Sequence, residues 1–235
     1  MESNSNQRHG IELYILGMPL RDGQPLDSQT LSLISGAALL IGESRKTTFQ
    51  FLAQASEKIN QDKVYLLDPE REDNLALLRN ALEILKPKEY AVLFSDAGMP
   101  GFFDPGKDII ALCESLGYRL RCVPGPTSVA TALALCPWNP PYLICDFLPR
   151  KSNERIAQLE RLAKIQTHLV LLETPYRLRS VLEDCQKVFG PKRKAFLALN
   201  IAHPDESYVT SDLQGLLKQI SSDHKNTLEP VLIIH

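Results

Sequence analysis

A chain of 235 residues that is 44% hydrophobic and 23% charged has the make-up of a packed globular protein, which excludes a disordered or fibrous one. Twenty-six basic against 28 acidic residues leave a formal charge of −2, so no global positive field draws in nucleic acid or an anionic membrane. About Gly125 the halves differ, with 13 basic and 17 acidic residues up to it and 13 and 11 beyond; a polyanion would prefer the second half.

The first ten residues are polar and lack the apolar segment of a signal peptide. No apolar run approaches the roughly 20 residues that span a bilayer. The expectation is a cytoplasmic protein with no membrane contact. Short runs rich in Val, Ile, Leu and Tyr recur at 13–16, 38–41, 64–67, 91–94, 120–123, 142–145, 169–172, 196–199 and 231–234. Each is bounded by Gly, Pro, Asp or Asn, which suits strands buried on both faces.

Helical periodicity fills several of the gaps. Leu75, Leu78, Leu82 and Leu85 share one face ahead of the stop Lys86-Pro87. Ile109, Cys113 and Leu116 form a second face, with Gly117 where a C-cap glycine belongs. A third helix begins at Ser152 with Ile156 and Leu159 inward, and a fourth runs from Tyr176 to the stop Gly190-Pro191. Ser211-Asp212-Leu213-Gln214 fits a capping box. Alternating strands and helices predict α/β architecture with mostly parallel sheets. The stiff Val123-Pro124-Gly125-Pro126 stretch predicts a boundary between two domains, 11–124 and 125–235.

Five cysteines without C-x-x-C spacing and five histidines without ligand spacing predict neither a disulfide framework nor a metal site. The cysteines lie in apolar contexts and read as small hydrophobes. The densest chemical signal is Phe94-Ser95-Asp96-Ala97-Gly98-Met99-Pro100-Gly101, continuing to Asp104-Pro105-Gly106. It follows a strand and precedes a helix, where open α/β sheets bind ligands. Asp96 can accept from a hydroxyl or amine. A tight turn without a ligand is the alternative reading. Val123-Pro124-Gly125-Pro126-Thr127-Ser128 is a second strand end turning into a helix, where Thr127 or Ser128 can cap. The two strand ends, at Ser95 and Val123, are read as facing each other across a hinge.

Together these motifs resemble the tetrapyrrole methylase superfamily of S-adenosylmethionine-dependent methyltransferases, and within it the branch that methylates a cytidine 2′-hydroxyl of small-subunit ribosomal RNA. Gly17-Met18-Pro19, Glu43-Ser44-Arg45, Phe147-Leu148-Pro149-Arg150-Lys151 and Glu173-Thr174-Pro175-Tyr176-Arg177-Leu178 are similar to that branch in the same order. The resemblance implies two α/β domains with S-adenosylmethionine in the cleft between them, a homodimer, and rRNA or the small ribosomal subunit as partner. It also implies that Gly17, Met18, Asp96, Met99, Thr127 and Ser128 line the cofactor, with Leu172, Asn200 and Pro230 on its adenine side.

No catalytic base follows from the motifs. Glu43, Arg45 and Glu173 are candidates because each is polar at or just past an apolar strand: either Glu for the proton, Arg45 for a phosphate. A buried Glu–Arg pair that orients loops is the alternative. Arg150, Lys151, Arg177 and Arg179 flank the presumed cleft and can bind phosphates, whereas Arg155 and Arg161, alternating with Glu154 and Glu160, read as a solvated helix face. The segment 199–206 lacks the Arg and Lys of the related enzymes, which weakens an RNA contact there. Two other readings stand: methylation of a tetrapyrrole or another small acceptor, and a cofactor-binding protein without turnover.

Overall fold

The computed structural model describes residues 10–55, 59–67, 73–220 and 230–235. The polar amino-terminal stretch before Gly10, with His9, and also His224 lie outside them. The chain divides into two compact units, 1–127 and 128–235.

In the first unit β1 (Glu12–Leu16), α1 (Ser28–Gly36), β2 (Leu39–Gly42), α2 (Arg45–Leu52), β3 (Val64–Leu66), α3 (Asn74–Glu83), β4 (Tyr90–Phe94), α4 (Lys107–Ser115) and β5 (Arg119–Val123) follow in order. All strand pairings are parallel, in the order β3-β2-β4-β1-β5. The period of two along each strand explains why. Leu13, Ile41, Ala91 and Leu93 join Leu78, Leu82, Ile109 and Cys113 of α3 and α4 on one face. Leu16, Leu40, Val92 and Phe94 join Ile34, Phe51 and Leu52 of α1 and α2 on the other. A sheet apolar on both faces must be covered on both, and helical crossovers do that.

Asp27 accepts from Thr30 N–H at 2.9 Å and Ser44 from Thr47 N–H at 3.4 Å, so side chains cap α1 and α2. Gly117 (φ +81°) follows the end of α4 in the left-handed region, as predicted. The strand at β5 departs from the expectation of double burial. It is the sheet edge, Leu120 is 36% exposed and Cys122 is exposed, so Cys122 is not a core hydrophobe. Cys113 and Cys185 are; burial pushes both thiols up to about 12.

The second unit contains α5 (Ser128–Leu135), β6 (Tyr142–Cys145), α6 (Ser152–Leu162), β7 (His168–Leu172), α7 (Pro175–Phe189), β8 (Lys194–Leu199), β9 (Ser207–Asp212), α8 (Leu213–Gln219) and β10 (Val231–Ile234). Strand order is β6-β7-β10-β8-β9. The mostly parallel expectation holds for the first sheet. In the second only β6–β7 is parallel, while β10 runs against both its neighbours and β8 and β9 form a hairpin. β9 was not foreseen, because Ser-Tyr-Val-Thr-Ser-Asp at a half-exposed edge carries no apolar run. The cap of α8 is Asp212, which accepts from Gly215 N–H at 2.7 Å, rather than Ser211.

Arg155 corrects the sequence reading most sharply. It is 3% exposed, not solvated. Its guanidinium lies 2.6 Å from Asp184 of α7 and donates to the carbonyls of Pro149 and Arg150. Ser152 and Lys187 complete the carboxylate's shell at 2.8 and 2.7 Å. Burial pushes the Asp184 carboxyl up, but hydrogen bonds from Lys187, Ser152 and Arg155 outweigh it and hold its pKa below the ordinary value. This ties α6 and the preceding Leu-Pro-Arg loop to α7. No helix among the described residues is long and apolar enough to cross a membrane.

Removing one partner of a buried ion pair strands the other, so Asp184→Ala should cost about 3–5 kcal/mol in urea unfolding of the second unit. Because the native pKa of Asp184 is depressed, its contribution is present above the unfolded carboxylate pKa and lost as pH falls through the folded one. The stability gap between wild type and Asp184→Asn should therefore shrink on acidification below about pH 4. A pH-independent gap would contradict the assignment.

Candidate functional site

The predicted loops converge at the carboxyl ends of the first sheet. β4 and β5 flank β1, with Leu16 paired to Phe94 on one side and to Val123 on the other. The strand ends at Ser95 and Val123 therefore lie in one sheet with β1 between them, and do not face each other across a hinge. Three segments leave these ends together: 17–18, 95–99 and 124–127.

They interlock through backbone. Gly17 N–H donates to Val123 O at 2.9 Å, Met18 N–H to Gly98 O at 2.7 Å, and Gly98 N–H returns to Met18 O at 3.1 Å. Gly17 and Gly125 touch without side chains. A Cβ on Gly17 would stand 2.3 Å from Gly125 N and 2.6 Å from Met99 Sδ, and one on Gly125 would stand 2.5 Å from Gly17 Cα. No other residue fits either place. The sulfur of Met99 accepts from Gly125 N–H at 3.3 Å, joining the second segment to the third. Gly98 differs, since a Cβ there would make only ordinary contacts and its constraint is φ +71°.

The predicted residues divide by what they can offer. Met18 is fully buried among Leu16, Leu26 and Phe94, and both its backbone groups are spent on Gly98, so it frames the loop. Asp96 is half-buried. Its Oδ1 accepts from Ser44 N–H at 3.1 Å, and its own N–H donates to Glu43 Oε2 at 3.2 Å. Among the described residues its Oδ2 carries no hydrogen bond, which leaves an acceptor for a hydroxyl or ammonium. Glu43 and Arg45 thus follow β2 next to the Asp96 loop, with Arg45 exposed and 5.2 Å over the Phe49 ring. Thr127 and Ser128 stand at the start of α5, half-buried.

In the second unit Leu172, Asn200 and Pro230 gather at one end of the sheet. Leu172 pairs with Val231, Pro230 O accepts from Glu173 N–H at 3.2 Å, and Asn200 follows Leu199 of the neighbouring β8. Asn200 is 8% exposed with φ +55°, and its amide donates to Asp205 at 2.6 Å. With Glu206 accepting from Ala202 N–H at 3.0 Å, the 200–206 turn closes on itself in place of a basic contact.

Glu173 is fully buried and meets Arg177 at 3.0 Å. Arg177 also donates to the carbonyls of Leu148 and Pro149. Burial raises the Glu173 carboxyl above its usual range, although Arg177 and the Thr174 N–H pull it back. This is the loop-orienting pair of the alternative reading. Arg179 and Lys151 are likewise engaged, with Glu183 and Glu154. The Gly17–Gly125 contact was missed as a pair. Its only signal was a glycine at the end of two runs that proved to be neighbours.

The family model for tetrapyrrole (corrin/porphyrin) methylases matches residues 12–217. Ribosomal RNA small subunit methyltransferase I of Leptospira borgpetersenii is 30% identical over 226 residues, covering 94% of this chain and 87% of its own. The Pasteurella multocida protein of the same name is 28% identical over 231 residues, 97% of this chain and 80% of its own. Among solved structures, a cobalt precorrin-4 methyltransferase superposes with a TM-score of 0.64 at 16% identity, covering 94% of each chain. Uroporphyrin-III C-methyltransferase of Thermus thermophilus, complexed with S-adenyl homocysteine, gives 0.63 at 17% identity over 94% of this chain and 96% of that one. These two establish the fold alone. With its five-stranded parallel sheet, its interlocked loops and a match over most of its length, the chain belongs to the tetrapyrrole (corrin/porphyrin) methylase family.

Proposed function

We propose that the chain is an S-adenosylmethionine-dependent methyltransferase that modifies a ribose 2′-hydroxyl of small-subunit ribosomal RNA, working as a cytoplasmic homodimer. The interlock of Gly17, Met99 and Gly125 beside the open carboxylate oxygen of Asp96 supports the cofactor half of this reading. The names of the relatives support the acceptor half.

The donor set suits the cofactor. S-adenosylmethionine presents an ammonium, hydroxyls and an adenine amine as donors and one carboxylate as acceptor. Asp96 meets a donor, while the hydroxyls of Thr127 and Ser128 and the first N–H groups of α5 suit the carboxylate. Gly17 lets the first and third loops meet at the edge of the ligand's place, and Met18 holds that backbone. Leu172, Asn200 and Pro230 are assigned the adenine side, where apolar strand ends exclude water. The cofactor supplies a methyl group on a positively charged sulfur. A ribose hydroxyl that attacks it must give up a proton, and Glu43 is the better acceptor because Glu173 is sealed in its pair with Arg177. Arg45, exposed two residues on at the start of α2, is placed for a phosphate. Aligning donor and acceptor accounts for much of the rate in such a transfer.

Calorimetry with S-adenosylhomocysteine should show binding to the wild type. Asp96→Ala should weaken it about 10–100-fold, the size of one charged hydrogen bond. Gly17→Ala should also lose affinity, since its Cβ forces the β1 and β5 loops apart. Unchanged affinity in both variants would remove the loops from the site. In cells, rRNA lacking this protein should lose one 2′-O-methyl group, and purified protein should restore it to isolated small subunits. Glu43→Gln should depress that turnover while leaving S-adenosylhomocysteine affinity intact. An unaltered modification map on deletion would contradict the acceptor.

A further inference from the structure

The carboxyl ends of β6 and β7 lie side by side, because the two strands run parallel with Cys145 paired to Leu171. Each leads into a segment with an exposed aromatic ring. Phe147, in the loop before α6, is 38% exposed, and Tyr176, in the first turn of α7, is 84% exposed. Leu172, assigned above to the adenine side, ends β7 at this same end of the sheet.

The exposure does not come from slack. Three successive carbonyls of the loop, those of Leu148, Pro149 and Arg150, accept four guanidinium hydrogen bonds, two from Arg177 and two from Arg155. Both arginines are held in turn by buried carboxylates, Glu173 and Asp184. Leu148 anchors the loop in the core of the second unit. With its backbone fixed from inside, the loop presents Phe147 and Arg150 to solvent. Lys151 is engaged by Glu154 at 3.3 Å, whereas Arg150 has no acidic partner among the described residues.

Two rigidly mounted rings beside one free cation match the chemistry of unpaired nucleotides. Every base has a π-face to lay on an aromatic ring, and the phosphate between bases suits a guanidinium. A duplex, with its bases already stacked inside, offers these rings nothing. An acidic protein would need a row of free cations, and here Glu154 and Glu183 neutralise Lys151 and Arg179. We infer that Phe147 and Tyr176 form a stacking platform for single-stranded RNA flanking the acceptor nucleotide, with Arg150 on its phosphate. They are positioning residues outside the methyl-transfer site, and the inference rests on the RNA reading above.

Fluorescence anisotropy with labelled oligouridylate and oligoadenylate, on protein saturated with S-adenosylhomocysteine, tests this. Both should bind, because stacking tolerates sequence. Tyr176→Ala should weaken both about tenfold, Phe147→Ala should weaken them too, and Tyr176→Phe should keep wild-type affinity. Arg150→Ala should also lose affinity, and it alone should flatten the salt dependence, by about one phosphate. All three side chains are exposed, so S-adenosylhomocysteine affinity and the urea midpoint should stay as in wild type. On isolated small subunits Tyr176→Ala should raise KM and leave kcat unchanged. Oligonucleotide affinity unmoved in both aromatic-to-alanine variants overturns the platform even where small subunits are methylated. Wild type that takes small subunits but no oligonucleotide gives this surface to a ribosomal protein and overturns it equally. Binding lost in Tyr176→Ala and kept in Tyr176→Phe, by a wild type that methylates no small subunit, would defeat the acceptor reading and leave the platform standing.

Discussion

Two backbones in direct contact, Gly17 against Gly125, set the architecture of the first unit's functional end. Side chains hold protein segments roughly a residue's width apart, and only a pair of glycines lets chain meet chain at the separation found here. Everything near it is built on that approach. The Gly17–Val123 hydrogen bond extends the β1–β5 ladder by one step, and the reciprocal Met18–Gly98 pair fastens the β4 loop to the same point. Met99 closes the triangle through its sulfur. Loops that would otherwise splay from three strand ends are fixed as one surface, with Asp96 at its edge.

Asp96 in turn links that surface to the strand beyond. Its carboxylate and its N–H engage Ser44 and Glu43, so the carboxyl ends of β2, β4, β1 and β5 are connected in sequence across the sheet. The candidate base and the loop proposed to hold the cofactor are therefore positioned by the same set of bonds.

Much of this was legible in the amino-acid sequence. The runs at 13–16, 38–41 and 91–94 are apolar at every position, which only a doubly covered strand tolerates. Gly98, Gly117 and the Asp-Ala-Gly loop announced their conformations through residue type. The rest depended on facts that only tertiary structure supplies. β5 was read with the buried strands, although Arg119 and Arg121 at alternate positions suit the exposed edge at which it sits. β9 pairs through backbone and so needed no apolar run. Arg155 alternates with glutamates as a surface residue would, but its partner Asp184 lies on a different helix. The glycine pair consists of two residues 108 positions apart in number, and each alone is an ordinary turn residue.

The central claim is that the 17–18, 95–99 and 124–127 segments form one ligand-holding surface. Amide hydrogen exchange with and without S-adenosylhomocysteine measures this most directly. Protection that rises in all three segments together is the predicted result. Protection confined to one of them, or appearing only elsewhere in the chain, would contradict it.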